Sequence, residues 1–321
     1  MTVPKIADTD LHVFPLCLGG SVFGWTVDEP TSFRILDAYF EAGGNFIDTA
    51  DSYSQWAPGN RGGESEIIIG RWIASRRIRD QVTIATKVGR KEGLTGLGAK
   101  VIEEAVEDSL RRLGTDRIDL YYAHEDDPDT PLEEVLATFD GVIRAGKVRH
   151  IGASNMSGAR LAEALAVADR MGVARYAVVQ PPYNLLDRVP FETDIAPVCA
   201  DGGPSCVPYF GLAQGFLTGK YREGAPAVHS VRSAAAARYA CEARGHLVVE
   251  ALGAIAAQHS TTHAAVALAW LAAQPHVAAP VASSRTPEQL AELLPAVDLK
   301  LSTAELHRLD LVSKVGGTSR G

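Results

Sequence analysis

No Cys-x-x-Cys pair occurs in these 321 residues, and Cys17, Cys199, Cys206 and Cys241 are too few and too scattered for a disulfide scaffold. Their pattern argues against a zinc site and for buried thiols in a reducing compartment. No apolar run approaches the roughly 20 residues that a membrane span requires. The opening MTVPKIADTD lacks the basic-then-apolar order of a signal peptide, so the chain reads as cytoplasmic with no membrane partner. Dense basic clusters are missing as well. Net charge is −8, and RRIRD (76–80) is the end of one amphipathic helix, so nucleic acid is not an expected partner. No G-x-G-x-x-G follows a strand, which disfavours a Rossmann site, and GFLTGK (215–220) has one residue too few between its glycines for a phosphate-binding P-loop.

What the chain does have is alternation. Eight short apolar or β-branched runs recur: PLCLGG (15–20), NFID (45–48), VTIAT (82–86), IDLYYA (118–123), VRHIGA (148–153), YAVVQ (176–180), PSCVPY (204–209) and HVAAPVA (276–282). Between them lie amphipathic segments such as VIEEAVEDSLRRLG (101–114), LEEVLATFDGVIRAGK (132–147) and ARLAEALAVADRMG (159–172), each apolar along one stripe and ending at or near a glycine. Strand and helix alternating at close to the span of a βαβ unit predict a parallel sheet covered by helices, and eight such units predict a closed (β/α)8 TIM barrel. The α/β reading is of a single domain over 1–321. The exception is a long stretch after the seventh strand, where YREGAPAVHSVRSAAAARYACEARG (221–245) reads as a mobile loop insertion.

In parallel barrels chemistry sits at the C-terminal ends of the strands. Asp48 ends NFID, Lys87 follows VTIAT, His124 follows IDLYYA, Ser154 and Asn155 follow VRHIGA, and Tyr53 sits just past Asp48. Each has an ordinary explanation when taken alone: a strand-end Asp caps a helix, a Lys is solvated, a lone His is structural. Four compatible groups converging on one mouth outweigh those explanations. A phenol is a poor acid at neutral pH, but an adjacent ammonium favours its phenolate, and Lys87 can play that part for Tyr53. Asp48 would pair with Lys87, and His124 could donate a hydrogen bond to a carbonyl oxygen as charge develops on it. This is the chemistry of carbonyl reduction.

With those residues in place, the chain resembles the aldo-keto reductase superfamily, in its bacterial NADPH-dependent form. The likeness rests on NFIDTADSY, TKVGR, YYAHEDDPDTPLEE, GKVRHIGASN, VVQPPYNLL and YFGLAQGFLTGKY, running from Leu16 to Leu309. The resemblance implies Tyr53 as general acid, with Asp48, Lys87 and His124 completing a tetrad. It also implies a nicotinamide cofactor lying extended across the barrel mouth. Ser154, Asn155 and Gln180 would hold its carboxamide and Tyr209 would stack on its ring. Gly211, Leu212, Gln214 and Gly215 would line the pyrophosphate, and Ser283, Ser284, Arg285, Gln289 and Glu292 the adenosine end. The segment PVASSRTPEQLAELL (280–294) ends a strand and opens a helix, an arrangement that attracts phosphate. Arg285 favours NADPH over NADH, because a fork of donors suits a phosphate dianion. One departure is Glu292-Leu293 where relatives commonly have Glu-Asn, which removes an adenine contact.

Trp25, Trp56 and Arg90 are candidates for the substrate wall, for a mid-sized sugar-like or polyketide-like carbonyl compound. A second reading is a nicotinamide-binding regulatory subunit with little turnover. A third, an isomerase or metal-dependent hydrolase, lacks the carboxylate and histidine clusters that such sites need.

Overall fold

The computed structural model describes residues 3–200, 202–221 and 233–314. Its strands are β1 (Cys17–Gly19), β2 (Phe46–Asp48), β3 (Thr83–Val88), a small antiparallel pair β4 (Arg90–Lys91) and β5 (Leu94–Thr95), then β6 (Ile118–Ala123), β7 (Val148–Ser154), β8 (Tyr176–Gln180), β9 (Ser205–Cys206) and β10 (Val281–Ala282). Eight of them form one sheet in the order β10-β1-β2-β3-β6-β7-β8-β9, every pairing parallel. The two edges meet: the Cys206 N–H donates to the His276 carbonyl at 2.7 Å and Cys206 accepts from the Ala278 N–H at 2.8 Å. The sheet thus closes into the (β/α)8 barrel expected from the alternation.

Helices α1 (Glu29–Glu41), α2 (Glu64–Arg76), α3 (Ala99–Leu113), α4 (Leu132–Arg144) and α5 (Gly158–Met171) follow successive strands around the outside, and α6 (Ala196–Cys199) and α9 (His263–Ala272) come later in the chain. Local chemistry starts and stops them. Asp28 caps α1 by accepting from the Thr31 N–H at 2.9 Å, and Gly114 and Gly172 end α3 and α5 in the left-handed conformation. Strand alternation sorts the side chains into two compartments. Ile84 and Val88 of β3 and Tyr121 and Ala123 of β6 face the helices. Ala85, Leu120, Tyr122 and Val178 face the barrel interior, whose base is filled by Ile6, Leu11 and Val13 of an N-terminal hairpin.

Three expectations need correction. Of PSCVPY only Ser205–Cys206 is strand, and of HVAAPVA only Val281–Ala282. Pro208 and Pro280 have no N–H for the ladder, so regular pairing stops beside them. The third is the 221–245 insertion. Residues 222–232 lie outside the described residues, but α7 (Ser233–Ala240) and the start of α8 (Ala243–Gln258) are helical. Alanine is the strongest helix former, so a run of it reads as featureless in a hydrophobic pattern yet folds as helix. Tyr239 of α7 is buried, its ring 5.8 Å from that of Phe216. Among the described residues no helix is long and apolar enough to cross a membrane.

Candidate active site

Asp48 is the last residue of β2, and its parallel register beside β3 brings it next to Lys87, two positions beyond its Ala85 partner. Both side chains point into the barrel mouth and are almost fully buried. Lys87 Nζ lies 2.7 Å from each Asp48 carboxylate oxygen, 2.8 Å from the Thr49 carbonyl and 2.9 Å from the Tyr53 hydroxyl. Tyr53 donates to Asp48 Oδ2 at 3.2 Å, and Gln180 Nε2, at the end of β8, donates to Asp48 Oδ1 at 2.9 Å. The buried charge pair is therefore hydrogen-bonded on all sides, the condition under which such a pair is tolerated. Tyr122 lies beneath it, with Nζ 5.7 Å from the ring centre.

The turn that carries Tyr53 is stitched down residue by residue. Thr49 donates to the Ser65 hydroxyl at 2.8 Å, and Ser65 donates to the Gly20 carbonyl at 2.9 Å. Ser54, left-handed at φ 71°, donates to the Phe23 carbonyl at 2.8 Å. His124 follows β6, and its ring centre lies 6.0 Å from that of Tyr53 at 71°. Its Nδ1 is 3.4 Å from the Ser52 hydroxyl, leaving Nε2 for the mouth.

Burial and then the positive charges of Lys87 and Arg90 hold the His124 pKa well below the usual imidazole range, so the ring is neutral at physiological pH. Burial lowers the Lys87 pKa, and the Asp48 charge acts against that shift. Tyr53 departs from expectation. Burial first, then the Asp48 charge, raise its pKa well above 10, so the resting group is a phenol rather than a phenol primed toward phenolate. The Lys87 ammonium against its oxygen matters when the proton leaves.

The remaining predicted residues sort into two neighbourhoods around the same mouth. Ser154 donates to the Gln180 carbonyl at 2.8 Å, Asn155 Nδ2 donates to the His124 carbonyl at 2.8 Å, and Tyr209 donates to Asn155 Oδ1 at 2.7 Å. These residues and the tetrad form one connected network. Past Tyr209 the backbone turns sharply through Gly211 and Leu212, with positive φ at Phe210, Ala213, Gln214 and Gly215. The Gly215 N–H is engaged by the Leu212 carbonyl at 2.8 Å. On the other side, Ser283 and Ser284 follow β10 beside β1. A Cβ at Gly19 would lie 2.6 Å from Ser283 Oγ, so the close approach there depends on glycine. Ser284 Oγ is buried and has no hydrogen-bond partner among the described residues. The Arg285 N–H donates to Gln289 Oε1 at 2.9 Å, Thr286 caps α10 (Pro287–Leu293), and Glu292 is exposed.

Trp25, Trp56 and Tyr53 form an aromatic corner, with ring centres 5.5 Å apart for the tryptophans and 6.2 Å for Tyr53 and Trp56. Trp56 is 50% exposed, a large apolar surface beside the tetrad. Arg90 pairs with Glu125 at 2.7 Å, and Gln55 Nε2 donates to the Arg90 carbonyl at 3.2 Å. Sequence reasoning passed over Ser52, which touches His124, and Asp51, which is completely buried in the same turn. Both lie inside the TADS segment, where small polar residues read simply as turn formers.

Comparison with known proteins agrees with this geometry. The model of the aldo/keto reductase family matches residues 15–314. The uncharacterized oxidoreductase YrpG of Bacillus subtilis is 36% identical over 331 aligned residues, covering 99% of this chain and 98% of that protein. Norsolorinic acid reductase stcV of Emericella nidulans is 33% identical over 94% of this chain and 78% of its own length. The putative aryl-alcohol dehydrogenase AAD14 of Saccharomyces cerevisiae is 31% identical over 94% and 84%. A closed parallel barrel with a buried Asp–Lys–Tyr cluster at its mouth and a family match over nearly the whole length together place this chain in the aldo/keto reductase family of oxidoreductases.

Proposed function

We propose that the protein reduces an aldehyde or ketone to an alcohol with NADPH, Tyr53 acting as general acid and the whole chain working as one barrel domain. The observation that carries this reading is Lys87 Nζ, 2.9 Å from the Tyr53 hydroxyl and 2.7 Å from both Asp48 oxygens. A phenol so held gives up its proton most easily when a substrate oxygen beside it gains negative charge. A nicotinamide cofactor, when bound, supplies the hydride to the carbonyl carbon. Tyr53 donates its proton to the carbonyl oxygen, and Lys87 stabilises the phenolate left behind. Neutral His124 orients that oxygen through its free ring nitrogen. Asp48, itself held by Gln180, keeps Lys87 charged and aimed.

The residues at the mouth fit such a cofactor. Ser284 Oγ is a buried polar atom without a partner among the described residues, and the turn at 210–215 bends the backbone around one side of the mouth. Asn155, Gln180 and Tyr209 would hold the nicotinamide end, Gly211, Leu212, Gln214 and Gly215 the pyrophosphate, and Ser283, Ser284, Arg285, Gln289 and Glu292 the adenosine end. Among the described residues Arg285 forms no ion pair, which leaves its guanidinium to a 2′-phosphate. For the substrate, the half-exposed Trp56 backed by Trp25 favours a flat, aromatic carbonyl compound. The name of one relative, a putative aryl-alcohol dehydrogenase, agrees with that choice.

The test is a panel of aliphatic, sugar and aryl carbonyl compounds assayed with NADPH and NADH. Turnover of aryl members with NADPH is expected. Tight NADPH binding without turnover of any member would instead favour a cofactor-sensing subunit.

A further inference from the structure

Asp51 lies between Asp48 and Tyr53 in the turn that crosses from the barrel mouth to the helix layer. It is completely buried, and neither carboxyl oxygen has a hydrogen-bond partner among the described residues. Its neighbour Glu66 of α2 is equally buried but fully satisfied, accepting from Thr86 Oγ1 at 2.6 Å and from Arg112 Nε at 2.6 Å. The guanidinium from α3 is thus aligned on Glu66, and Asp51 is left beside a second carboxylate. Tyr121 of β6, another buried group, has a hydroxyl without a partner among the described residues and feels the charge of both acids. The charges acting on Asp51 are Glu66 from α2, Arg112 from α3 and Lys91 from the β4–β5 hairpin, and Asp51 in turn acts on Lys87 from β3.

The position is tied to the catalytic residues by backbone. The Asp51 N–H donates to the Lys87 carbonyl at 3.2 Å, and Thr86, which holds Glu66, is the residue before Lys87 on the opposite face of the same strand. Gly62 packs so closely that a Cβ there would lie 2.8 Å from the Asp51 carbonyl. A carboxylate buried here, beside Glu66 and with the Ser52 backbone N–H as the one donor acting on it, is disfavoured against the neutral acid.

We propose that Asp51 is a positioning residue: as a neutral acid it lets the 48–54 turn hold Tyr53 on Lys87, and as a carboxylate it loosens that turn, so that reduction slows when Asp51 loses its proton. Burial, and then Glu66, raise its pKa from 3.8 to about 7, which places the change in the physiological range. The proposal rests on the tetrad reading given above, so its test includes a readout independent of turnover.

Two measurements are made on the wild type and on Asp51→Asn, whose amide mimics the neutral acid. The first is kcat for an aryl aldehyde with NADPH across pH. The second is tryptophan fluorescence of the cofactor-free protein, in which Trp56 sits on the same turn, 6.2 Å from Tyr53. The wild type should lose roughly tenfold in kcat between about pH 6 and pH 8, as a single group titrating near neutrality dictates. Its fluorescence should change over the same range, and both inflections should vanish in Asp51→Asn. Inflections that persist in the variant would overturn the proposal. If no carbonyl compound is turned over, the functional reading fails while the fluorescence still decides on Asp51. Should the variant not fold, carboxyl-carbon NMR of the wild type decides: titration near neutrality supports the proposal, and titration near pH 4 overturns it.

Discussion

Replacing Lys87 with methionine separates what the buried ion pair does for the fold from what it does for catalysis. Lys87 and Asp48 are each about 1% exposed, and the ammonium makes 2.7 Å contacts to both carboxylate oxygens. In Lys87→Met the side chain loses one atom of length but keeps most of its apolar packing, and Asp48 retains only Gln180 and Tyr53 as donors, at 2.9 and 3.2 Å. Removing one partner of a buried pair strands the other charge, so a loss of about 3–5 kcal/mol is expected in urea unfolding. Turnover should fall by about 10²- to 10⁴-fold, because Tyr53 loses the group that stabilises its phenolate. Adding Asp48→Asn removes the stranded charge, so the double variant should regain most of the lost stability and none of the turnover. Recovery of kcat in the double variant would refute the reasoning, since it would make Lys87 a structural group whose only task is to neutralise Asp48. A single variant that loses less than about 1 kcal/mol would refute the burial argument on its own.

Tyr53→Phe keeps the ring against Trp56 and removes only the hydroxyl that carries the transferred proton, so reduction should be abolished while NADPH affinity, read by fluorescence titration, stays near wild type. Arg285→Ala should raise the KM for NADPH by at least about tenfold with little change for NADH, and equal effects on both would leave Arg285 as no more than a neighbour of the helix cap. Asp51 has a stability signature of its own. Because its pKa is raised from 3.8 to about 7, the folded chain keeps a proton that the unfolded chain releases, so stability drops as pH climbs through that window. Asp51→Asn should therefore gain stability over wild type from about pH 4 to pH 7, by up to about 4 kcal/mol, and the gain should level off above that. A difference in unfolding midpoint that does not vary with pH would contradict it.

The parts of this fold legible in sequence are those where one physical signal dominates. IDLYYA and YAVVQ are strands with the predicted bounds because runs buried on both faces leave nothing else for the backbone to do. The runs at 204–209 and 276–282 shrink because proline withdraws a donor in each, and α7 was hidden because alanine provides no polar–apolar contrast. The tetrad was legible for a geometric reason: barrel closure carries every strand end to one mouth, so spacing along the chain predicts convergence in space. Asp51 and Glu66 had no such rule. Which of the two acids Arg112 neutralises depends on how closely α2 lies on α3, and that approach rests on Gly70, where a Cβ would fall 2.5 Å from the Leu113 carbonyl, and on Gly63, where it would meet Arg112. Nothing in the periodicity of either helix reports that distance.

The two acids of the 48–54 turn therefore stand in opposite electrostatic situations across one strand. Asp48 faces the barrel interior and finds an ammonium, a phenol and an amide; Asp51 faces the helix layer and, among the described residues, finds no side-chain partner, only the nearby Ser52 backbone N–H. Strand alternation puts Lys87 on the first side and Thr86, with Glu66 and Arg112 behind it, on the second. A turn anchored by a paired charge at one end and strained by an unpaired acid at its centre is rigid only while that acid stays neutral. Tyr53 is two residues beyond Asp51 and has to be held within hydrogen-bond distance of Lys87 for proton transfer. The sensitivity of its placement to pH thus follows from which face of β3 each neighbouring side chain occupies, and not from the tetrad itself.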